Sequence, residues 1–501
     1  MKIIKYCSTR GNADLATSAE AIIKGLAPDS GLYVPNEAII PFKTTRLPSG
    51  DYRNIAAIIF RIFLSDYSFA EIENAVLAAY NINNFDHPLI TPLCKLSGDL
   101  FVAELWHGPT YAFKDIALQI LPYLLRTAVQ KKGEKSEIII LTATSGDTGK
   151  SALEGFRDVP GTRIVVYFPG NRVSEVQKLQ MTTQEGSNVS VTAVKGNFDD
   201  TQYGVKKIFN DQKLAIRLAS AGYRLSSANS INWGRLLPQI VYYFATYNEL
   251  VSRGEIKPGE RVNYVVPTGN FGNILAGYYA RQLGLPVRKL ICAANRNNVL
   301  SDFLNSGHYN SRRPLYRTSS PSMDILISSN LERLLYELNG HDPERLSAWM
   351  NDLSERGEYR VDEKTLSRIQ DLFWSDYADE IETGHAIADI YRNYNYLIDT
   401  HTAVGKTVFD KYLAFESEKC PTVLFSTASP FKFAGSVTRA LLGCNQYQDK
   451  TEFELLDILA RETNTTIPIN LAGLNRKPVK HEQAIEPDRM CDHLLSSISL
   501  S

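Results

Sequence analysis

The chain has 501 residues, of which 44% are hydrophobic and 22% charged, and its formal net charge is −1. A chain of this length usually forms more than one hydrophobic core, so two or three domains are expected. The composition is that of a soluble globular protein. A near-neutral charge argues against a nucleic-acid or anionic-membrane partner, and no stretch approaches the roughly 20 apolar residues of a membrane span.

The cysteines and histidines give no sign of a metal site or a disulfide framework. Six cysteines are scattered along the chain without a Cys-x-x-Cys pair, and the eight histidines show no ligand spacing. Buried free thiols in a reducing compartment are therefore expected. Since the opening MKIIKYCSTRGN also lacks an apolar run long enough for a signal peptide, the sequence predicts a cytoplasmic protein without a metal.

The first 90 or so residues have a mixed α/β pattern. Apolar periodicity predicts helices over 56–67 and 70–80, and Pro88 and Pro92 bracket the expected end of this unit. We expect residues 1–90 to form an N-terminal α/β domain.

From there the chain alternates between short apolar runs and amphipathic stretches. Strands are predicted at 137–141, 163–168, 189–194, 262–266, 289–294 and 421–426, and helices at 115–131, 149–157, 199–219, 234–252 and 273–283. This alternation predicts βαβ units and parallel sheets, in which ligands bind at the carboxyl ends of strands. Residues 300–400 are mostly helical in pattern, with a Ser/Pro-rich loop at 318–324, and are expected to elaborate a large domain.

The first segment suited to chemistry is ELWHGPTYAFKDIALQILPYLL (104–125). Lys114 lies there among aromatic residues, at the start of a predicted helix. Removal from water would lower the pKa of its amine and make it a nucleophile. The alternative is a lysine that extends to solvent and pairs with Asp115 or Glu104.

The second segment, ILTATSGDTGKSALEGF (140–156), is close to a nucleotide-binding P-loop. That pattern requires a glycine where Thr144 stands, and Asp147 would put a negative charge inside the phosphate cradle. The turn still follows a predicted strand and precedes a predicted helix. It offers the side-chain hydroxyls of Thr144, Ser145 and Thr148 beside the backbone amides at the start of the helix. It suits a carboxylate or phosphate, and an ordinary capped turn is the alternative.

Two further turns also follow predicted strands. In PTGNFGNILAGYYARQLGLP (267–286), Gly269 and Gly272 open a helix and would let backbone amides approach a phosphate, although a plain turn is the alternative. LFSTASPFKFAGS (424–436) places Thr427 and Lys432 after a strand, where a hydroxyl can meet a ring nitrogen or an anion.

Together these segments resemble the threonine synthases, pyridoxal 5′-phosphate (PLP) enzymes of fold type II, the tryptophan-synthase-β type. The strings that carry the resemblance are YCSTRGN, HGPTYAFKD, TATSGDTG, NSINWGRLLPQIVYYF, PTGNFGN, SPSMDILISSNLERLL and STASPFKF. They run in the family's order over nearly the whole chain and are similar to the longer bacterial and fungal form.

The resemblance implies an α/β fold with two open parallel-sheet domains beside the N-terminal domain. The small α/β domain would comprise residues 126–244. The large PLP-binding domain would comprise residues 91–125 and 245–501, with 300–400 as its helical elaboration. A monomer or a homodimer is expected.

The resemblance also implies roles for individual residues. Lys114 would form the Schiff base with PLP and carry protons, Thr427 would meet the pyridine nitrogen, and Asp147 would lie near the cofactor's 3′-oxygen. The loop that would hold the cofactor phosphate is Gly269, Asn270, Phe271, Gly272 and Asn273. The residues that would meet the amino-acid end of the substrate are Thr144, Ser145 and Thr148. Two positions depart from the pattern of many relatives: Asn273 replaces Asp and Ser429 replaces His.

The implied activity converts O-phospho-L-homoserine and water into L-threonine and phosphate. Lys114 would remove the Cα proton and then a Cβ proton, phosphate would leave from Cγ, and water would add at Cβ. A hydroxyl opposite the ring nitrogen leaves that nitrogen largely neutral, so that charge passes on into the side chain. The cations that could bind the leaving phosphate are Arg10, Arg172 and Lys432, for each of which a salt bridge is the alternative.

Three rival functions follow from the same segments. A phospho-lyase would cleave the same substrate to 2-oxobutanoate, ammonia and phosphate. A P-loop ATPase would bind ATP at residues 140–156. A non-catalytic PLP-binding protein would show the cofactor's colour without turnover. A serine or threonine dehydratase matches the quoted strings poorly.

Overall fold

The computed structural model describes residues 4–42, 51–133, 135–144, 146–170, 173–416, 418–443, 447 and 449–500. The strands are β1 (Tyr6–Ser8), β2 (Tyr33–Pro35), β3 (Leu93–Ser97), β4 (Leu100–Glu104), β5 (Glu137–Ala143), β6 (Thr162–Pro169), β7 (Val189–Val194), β8 (Tyr223–Ser226), β9 (Val262–Pro267), β10 (Val287–Ala294), β11 (His308–Asn310), β12 (Glu358–Arg360), β13 (Phe373–Tyr377), β14 (Thr422–Ser426) and β15 (Ala484–Ile485).

The helices alternate with these strands over most of the chain. They are α1 (Ser18–Lys24), α2 (Tyr52–Phe63), α3 (Phe69–Ala79), α4 (Lys114–Leu118), α5 (Leu121–Lys131), α6 (Asp147–Phe156), α7 (Glu175–Thr182), α8 (Phe198–Asn210), α9 (Gln212–Ser220), α10 (Trp233–Ser252), α11 (Gly272–Gln282), α12 (Val299–Ser306), α13 (Leu331–Leu338), α14 (Pro343–Arg356), α15 (Glu363–Leu372), α16 (Glu380–Tyr394), α17 (Thr400–Phe415), α18 (Ala434–Leu442), α19 (Glu452–Thr463) and α20 (Met490–Ser497).

The larger sheet has the strand order β13-β10-β9-β14-β4-β3. All neighbouring strands are parallel except β3, which is antiparallel to β4 at one edge. The inner strands β9 and β14 are buried at every position. Helices α11, α12 and α17 pack against this sheet, which explains why its inner strands are continuous apolar runs.

The smaller sheet has the order β15-β7-β6-β5-β8, with every pair parallel. The C-terminal residues complete it, because β15 pairs with β7 and α20 packs on α8. The Tyr167 hydroxyl donates to the Met490 carbonyl at 2.9 Å, and the Thr192 hydroxyl lies 2.8 Å from His493 Nε2. The two open parallel sheets confirm the predicted fold class, whereas the division of the chain into domains stays a prediction.

The N-terminal part consists of the two-stranded antiparallel sheet β1–β2 and helices α1 to α3. Capping boxes define where two of these helices begin, at Thr17 for α1 and at Ser68 for α3. Aromatic rings join this part to α10: Trp233 lies 5.3 Å from Tyr6 and 5.5 Å from Phe63, measured between ring centroids. The N-terminal part therefore shares the main hydrophobic core with the larger sheet.

Two predicted helices are each broken into two. The helix predicted at 199–219 is interrupted at Asp211, whose side chain accepts a hydrogen bond from the Leu214 amide and starts α9. The helix predicted at 115–131 is interrupted between α4 and α5, just before Pro122, which has no backbone N–H to continue the ladder.

Other elements were not predicted from the pattern. Strands β3, β4 and β8 were missed, and the 300–400 segment contains β13, which forms an edge of the larger sheet. The described cysteines are free thiols, but only Cys292 is buried, so the expectation that the thiols are buried is wrong for the others. Among the helices that the structure describes, none is long and apolar enough to cross a membrane.

Candidate active site

The candidate site lies where the loops that follow β4, β5, β9 and β14 meet. The loop after β4 leads to Lys114, the loop after β5 to Asp147, and β14 runs directly into Thr427. The carboxyl ends of parallel strands are where α/β proteins form ligand sites. Folding brings distant segments together here: the Lys432 ammonium donates to the Thr110 carbonyl, 322 positions away in the sequence.

The backbone that leads to Lys114 is fixed against the loop after β14. The Phe113 amide donates to the Thr427 carbonyl at 2.9 Å, and the Ser429 amide donates to the Tyr111 carbonyl at 3.1 Å. Tyr111 has a φ of +58°, a left-handed conformation that bulky residues rarely adopt. Lys114 then begins α4. These contacts determine where its side chain starts.

The Lys114 amine faces polar groups inside the protein. Its Nζ lies 3.3 Å from Asp147 Oδ2 and 3.2 Å from Ser322 Oγ, and only 13% of its side chain is exposed. Burial lowers the pKa of Lys114, and the charges of Lys432 and Arg235 lower it further, against the opposing effect of Asp147. The alternative of a lysine that extends to solvent beside Asp115 or Glu104 is therefore wrong.

Asp147 is a buried carboxylate between two lysines. Its Oδ1 accepts from Lys432 Nζ at 2.8 Å and from Gln177 Nε2 at 3.0 Å, and its Oδ2 accepts from the Ser322 hydroxyl at 2.9 Å. Burial by itself would raise the pKa of Asp147, but Lys432 and Lys114 outweigh burial and hold this pKa well below its usual range. Asp147 therefore stays ionised at neutral pH.

The turn between β5 and α6 is held by Thr144. Its hydroxyl accepts hydrogen bonds from the amides of Gly146 at 3.0 Å and Gly149 at 2.8 Å. A Cβ on Gly149 would lie 2.3 Å from Thr144 Cγ2, so a glycine is required there. Thr144 thus caps the first turn of α6. Thr148 is half-buried beside Asp147, and Ser145 lies outside the described residues.

The same turn does not have the geometry of a P-loop. Lys150, which occupies the position of the P-loop lysine, donates to Glu154 Oε2 at 3.1 Å. The ionised carboxylate of Asp147, in the first turn of α6, would repel the phosphates of a nucleotide bound there. The ion pair of Lys150 and the charge of Asp147 both disfavour the ATPase alternative.

The turn between β9 and α11 presents backbone rather than side chains. Phe271 has a φ of +63°, and Gly272 begins α11, whose first amides have no partner within the helix. A Cβ on Gly269 would lie 2.7 Å from the carbonyl oxygen of Ser322. Only glycine allows this approach, and a helix N-terminus of this kind suits an anion.

The asparagines of this turn stabilise its shape. The Asn273 side chain donates to the Pro267 carbonyl at 2.7 Å and accepts from the Ile274 amide at 3.0 Å. The Asn270 carbonyl accepts from the amide of Asn330 at 3.2 Å and from its side chain at 3.0 Å. The side chain of Asn273 is therefore committed to the turn itself.

Thr427 offers a hydroxyl to the site. The residue is 5% exposed, and its hydroxyl makes no hydrogen bond to another described residue. The neighbouring hydroxyl of Ser426 is occupied instead: Trp106 Nε1 donates to it at 3.0 Å and the Thr402 hydroxyl at 3.1 Å. Of these adjacent hydroxyls, Thr427 is the one left for a ligand.

The predicted phosphate-binding cations have different environments. Arg10 forms a two-pronged ion pair with Glu332, with both N–O distances at 3.2 Å. Lys432 is completely buried and paired with Asp147. Arg172 lies outside the described residues. The structure thus gives Arg10 and Lys432 protein partners.

The structure adds residues that the sequence analysis missed. Ser322 contacts Lys114, 208 positions away, and its amide donates to His401 Nε2 at 3.3 Å. His401 is oriented by Asp399, whose Oδ2 accepts from Nδ1 at 2.7 Å. The Ser/Pro-rich string at 318–324 is visible in the sequence, but no local pattern connects it with the start of α17.

His107 makes a structural bridge near the carboxyl end of β4. Its ring nitrogens lie 2.5 Å from Asp86 Oδ1 and 2.8 Å from Glu104 Oε2. Burial by itself would lower the pKa of His107, but the two carboxylates outweigh burial and raise it to about 9. The charged imidazole therefore ties the 81–92 loop to the larger sheet.

Comparison with known families gives two matches. The family "Threonine synthase N terminus" matches residues 5–80, and "Threonine synthase, C-terminal" matches residues 402–481. The threonine synthase of Pseudomonas aeruginosa is 38% identical over 488 residues, which cover 97% of this chain and 100% of that protein. Human threonine synthase-like 1 is 38% identical over 485 residues, and this chain spans 62% of that protein's length.

A solved structure shows the same architecture. The PLP-bound threonine synthase from Brucella melitensis has a TM-score of 0.87 and 36% identity, covering 99% of both chains. The fold is that of the fold type II class of PLP-dependent enzymes. Within that class, the chain belongs to the threonine synthase family, which confirms the resemblance seen in the sequence.

Proposed function

We propose that the protein is a PLP-dependent threonine synthase, which converts O-phospho-L-homoserine and water into L-threonine and phosphate. The observation that carries the proposal is the buried amine of Lys114, with its lowered pKa, facing Asp147 where the strand-end loops meet. Membership of the threonine synthase family supports the choice of substrate.

The residues present fit PLP as the cofactor. Lys114 supplies a nucleophilic amine, and the Gly269 turn allows close approach of a phosphate to backbone amides. Thr427 is 5% exposed, and its hydroxyl has no hydrogen bond to another described residue. When bound, PLP would withdraw electrons from the Cα of the amino acid and so supply the electron sink.

The chain's own residues would place the cofactor and the substrate. The backbone amides from Gly269 to Asn273 would bind the cofactor phosphate, and the Thr427 hydroxyl would meet the ring nitrogen. Asp147 would lie near the cofactor's 3′-oxygen, and the turn that contains Thr148 and Ser145 would meet the amino-acid end of the substrate. The ionised state of Asp147 supports a role in holding a positive or proton-bearing group.

Lys114 would carry the protons. Its amine would take the proton from Cα and then a proton from Cβ, and would return protons at Cγ and finally at Cα. Ser322 and Asp147 both hydrogen-bond to Nζ, which supports a fixed position of the amine for these transfers. Burial supports the same role, since an amine of lowered pKa is neutral more of the time and accepts protons.

Among the candidates for the substrate phosphate, Lys432 is best regarded as the partner of Asp147. Arg10 would have to leave Glu332 in order to bind a phosphate. Arg172 remains a candidate, on the resemblance alone.

We further propose a cytoplasmic location, a monomer or a homodimer, and no nucleic-acid partner. The free thiols among the described residues support a reducing compartment, and the net charge of −1 offers no general attraction for nucleic acid. Light scattering of the purified protein would give the oligomeric state.

Product identification tests the proposed function. The purified protein would be mixed with O-phospho-L-homoserine, phosphate release followed, and threonine separated from 2-oxobutanoate. We expect threonine and phosphate in equal amounts, and the Lys114→Ala variant as control should produce neither. Phosphate with 2-oxobutanoate would instead identify a phospho-lyase and contradict the proposal.

A further inference from the structure

A buried aspartate and a buried histidine lie at the start of α17, beside the short turn Pro321–Met323. Asp399 is 0% exposed and His401 is 2% exposed. Nδ1 of the His401 ring lies 2.7 Å from Asp399 Oδ2. The Phe433 ring packs against the imidazole, with 4.8 Å between the ring centroids. The imidazole is therefore held in place by packing as well as by the carboxylate.

The carboxylate of Asp399 is satisfied by hydrogen-bond donors of α17. Its Oδ2 also accepts from the His401 amide at 2.9 Å, and its Oδ1 accepts from the Thr402 amide at 3.1 Å and from the Thr402 hydroxyl. Within the described part of the chain, no lysine or arginine forms an ion pair with Asp399. A buried carboxylate without a cation is costly, and donors on both oxygens offset that cost. They also fix the direction in which Oδ2 faces His401.

The two ring nitrogens of His401 have partners that specify one tautomer. The Ser322 amide donates to Nε2 at 3.3 Å. A backbone N–H can only donate, so Nε2 is the acceptor and the ring hydrogen is on Nδ1, from which it is donated to Asp399. A carboxylate on one ring nitrogen is a common way to fix the function of the other. Asp399 thus makes His401 a neutral acceptor for the Ser322 amide.

Ser322 connects this histidine with the reactive lysine. Its hydroxyl lies 3.2 Å from Lys114 Nζ and donates to Asp147 Oδ2 at 2.9 Å. Its carbonyl oxygen would lie 2.7 Å from a Cβ on Gly269. The amide, the hydroxyl and the carbonyl of one residue therefore contact three parts of the site. A shift of the amide away from His401 would move the hydroxyl that holds Lys114.

We propose that Asp399 and His401 are positioning residues for Lys114. Asp399 fixes His401 as the acceptor of the Ser322 amide, and Ser322 then holds the Lys114 amine where it attaches the cofactor and moves protons. The proposal rests on the proposed function, in which Lys114 has both tasks. Asp399 and His401 act only through Ser322.

Replacements of His401 in the full chain test whether the acceptor matters. His401→Gln carries a side-chain oxygen that can accept the Ser322 amide, whereas His401→Leu is an apolar side chain without an acceptor. Two quantities would be measured: the rate at which PLP added to the cofactor-free chain forms the visible band of lysine-bound PLP, and kcat and KM for O-phospho-L-homoserine.

We expect His401→Leu to lower the rate of PLP attachment and kcat by about 10- to 100-fold, because a displacement of about 1 Å costs a reaction as much as 100-fold. KM should change far less than kcat. His401→Gln should keep both rates within about threefold of wild type. Normal rates in His401→Leu overturn the proposal. Equal losses in the two variants also overturn it, since the ring would then only fill space.

Replacing Asp399 tests the other half of the pair. Asp399→Ser still caps α17 but is too short to reach the imidazole. We expect the loss seen in His401→Leu, and no further loss in the double variant, because both residues act through one contact. Losses that multiply in the double variant contradict the proposal. Should Asp399→Ser not fold, the two His401 variants decide.

Asp362→Ser is the matched control. Asp362 caps α15 and accepts from the amide and the hydroxyl of Thr365, as Asp399 does from Thr402, but no histidine lies on it. We expect this variant to lower thermal stability and to keep the wild-type rate of PLP attachment and kcat. A loss of both rates in Asp362→Ser would show that any lost cap slows the enzyme, and would overturn the proposal.

The tautomer of His401 can be observed without turnover. Nitrogen NMR of the cofactor-free chain with isotope-labelled histidine would identify the His401 signals by their absence in His401→Gln. We expect a neutral ring with its hydrogen on Nδ1 at neutral pH. A ring hydrogen on Nε2 overturns the proposal. Failure of wild type to form threonine would refute the proposed function alone, since PLP attachment and the tautomer are measured without turnover.

Discussion

At the scale of single residues, the site is a balance of buried charges. Lys114 and Lys432 share the carboxylate of Asp147, and the Ser322 hydroxyl donates to the same carboxylate. Burial is the largest influence on the Lys114 amine, and together with the repulsion from Lys432 and Arg235 it outweighs the attraction of Asp147 and lowers the pKa of Lys114. The neutral form of the amine is therefore favoured relative to a lysine in water. This charge arrangement supports the role that we propose for Lys114.

Replacing Lys114 with alanine should remove both the cofactor's attachment and the proton carrier. We expect Lys114→Ala to lose the visible absorption band of lysine-bound PLP, and threonine formation to fall by at least about 100-fold, the usual contribution of a positioned acid or base. Absorption spectra and product assays check this. Lys257→Ala, at an exposed position, serves as control. Threonine formation at the wild-type rate in Lys114→Ala would contradict the assignment.

Replacing Thr427 with aspartate should alter the later steps. A carboxylate opposite the ring nitrogen would keep that nitrogen protonated and hold charge in the ring. We expect Thr427→Asp to bind PLP and to exchange the Cα proton with deuterated solvent, while phosphate release slows by about tenfold or more. Thr427→Ser retains the hydroxyl and should behave like wild type. If phosphate release in Thr427→Asp keeps its normal rate, Thr427 does not face the ring nitrogen.

At the scale of elements, the site depends on how turns approach one another. The turn that opens α11 lies against the short 3₁₀ turn Pro321–Met323, and Ser322 in that turn also reaches Lys114 and His401. Asp399 caps α17 and orients His401 with the same carboxylate. One short turn thus connects the glycine turn, the lysine and the start of α17.

A methyl group at Gly269 should disturb this contact. The Cβ of Gly269→Ala would lie 2.7 Å from the Ser322 carbonyl oxygen, and relieving such a clash costs about 1 to 3 kcal/mol. We expect the dissociation constant for PLP to rise by about tenfold or more, as measured by titration of the cofactor-free chain. Gly384→Ala, in α16 with open space around it, should bind PLP normally and be at least as stable as wild type. Normal PLP affinity in Gly269→Ala would show that the turn can move freely.

At the scale of the whole molecule, the N-terminal part and the larger sheet are joined by the shared core and by polar bridges. His107 is one such bridge, with side-chain exposure of 11% and carboxylates at both ring nitrogens. The pKa of His107 is higher in the folded protein than in the unfolded chain. The folded protein therefore binds the imidazole proton more tightly than the unfolded chain does. The bridge then stabilises the protein most below the ordinary histidine pKa, and this contribution is lost as the pH rises.

The stability difference between wild type and His107→Gln should therefore depend on pH. We expect it to be largest near pH 6, on the order of 2 kcal/mol because Asp86 is partly screened by solvent. It should decline between about pH 6.5, the ordinary value, and the folded-state pKa of about 9, and be lost above that pH. Urea unfolding at pH 6, 8 and 10 measures it. A difference that grows with pH would exclude a charged bridge.

Much of the fold and part of the site could be predicted from local patterns. The apolar runs of β5, β6, β9 and β14 and the glycines after β9 are visible in the sequence because alternation and turn chemistry act over a few residues. The position of Lys114 at a helix start among aromatics is local as well. Breaks such as that at Asp211 were missed, since one capping residue hardly changes the periodicity of a long helical stretch.

The chain's own pattern was enough to indicate the α/β class, the turns that carry the site, and the family. The folded arrangement decided the rest. Ser322 and Asp147 hydrogen-bond to the lysine, and His401 and Asp399 support Ser322. The buried Nε of Arg235 has no partner among the described residues, whereas every guanidinium nitrogen of Arg333 has one. These contacts join positions up to hundreds of residues apart. Burial, charge pairing and pKa depend on which side chains are in contact in the folded chain. A local sequence pattern does not predict contacts between residues that are far apart in the sequence.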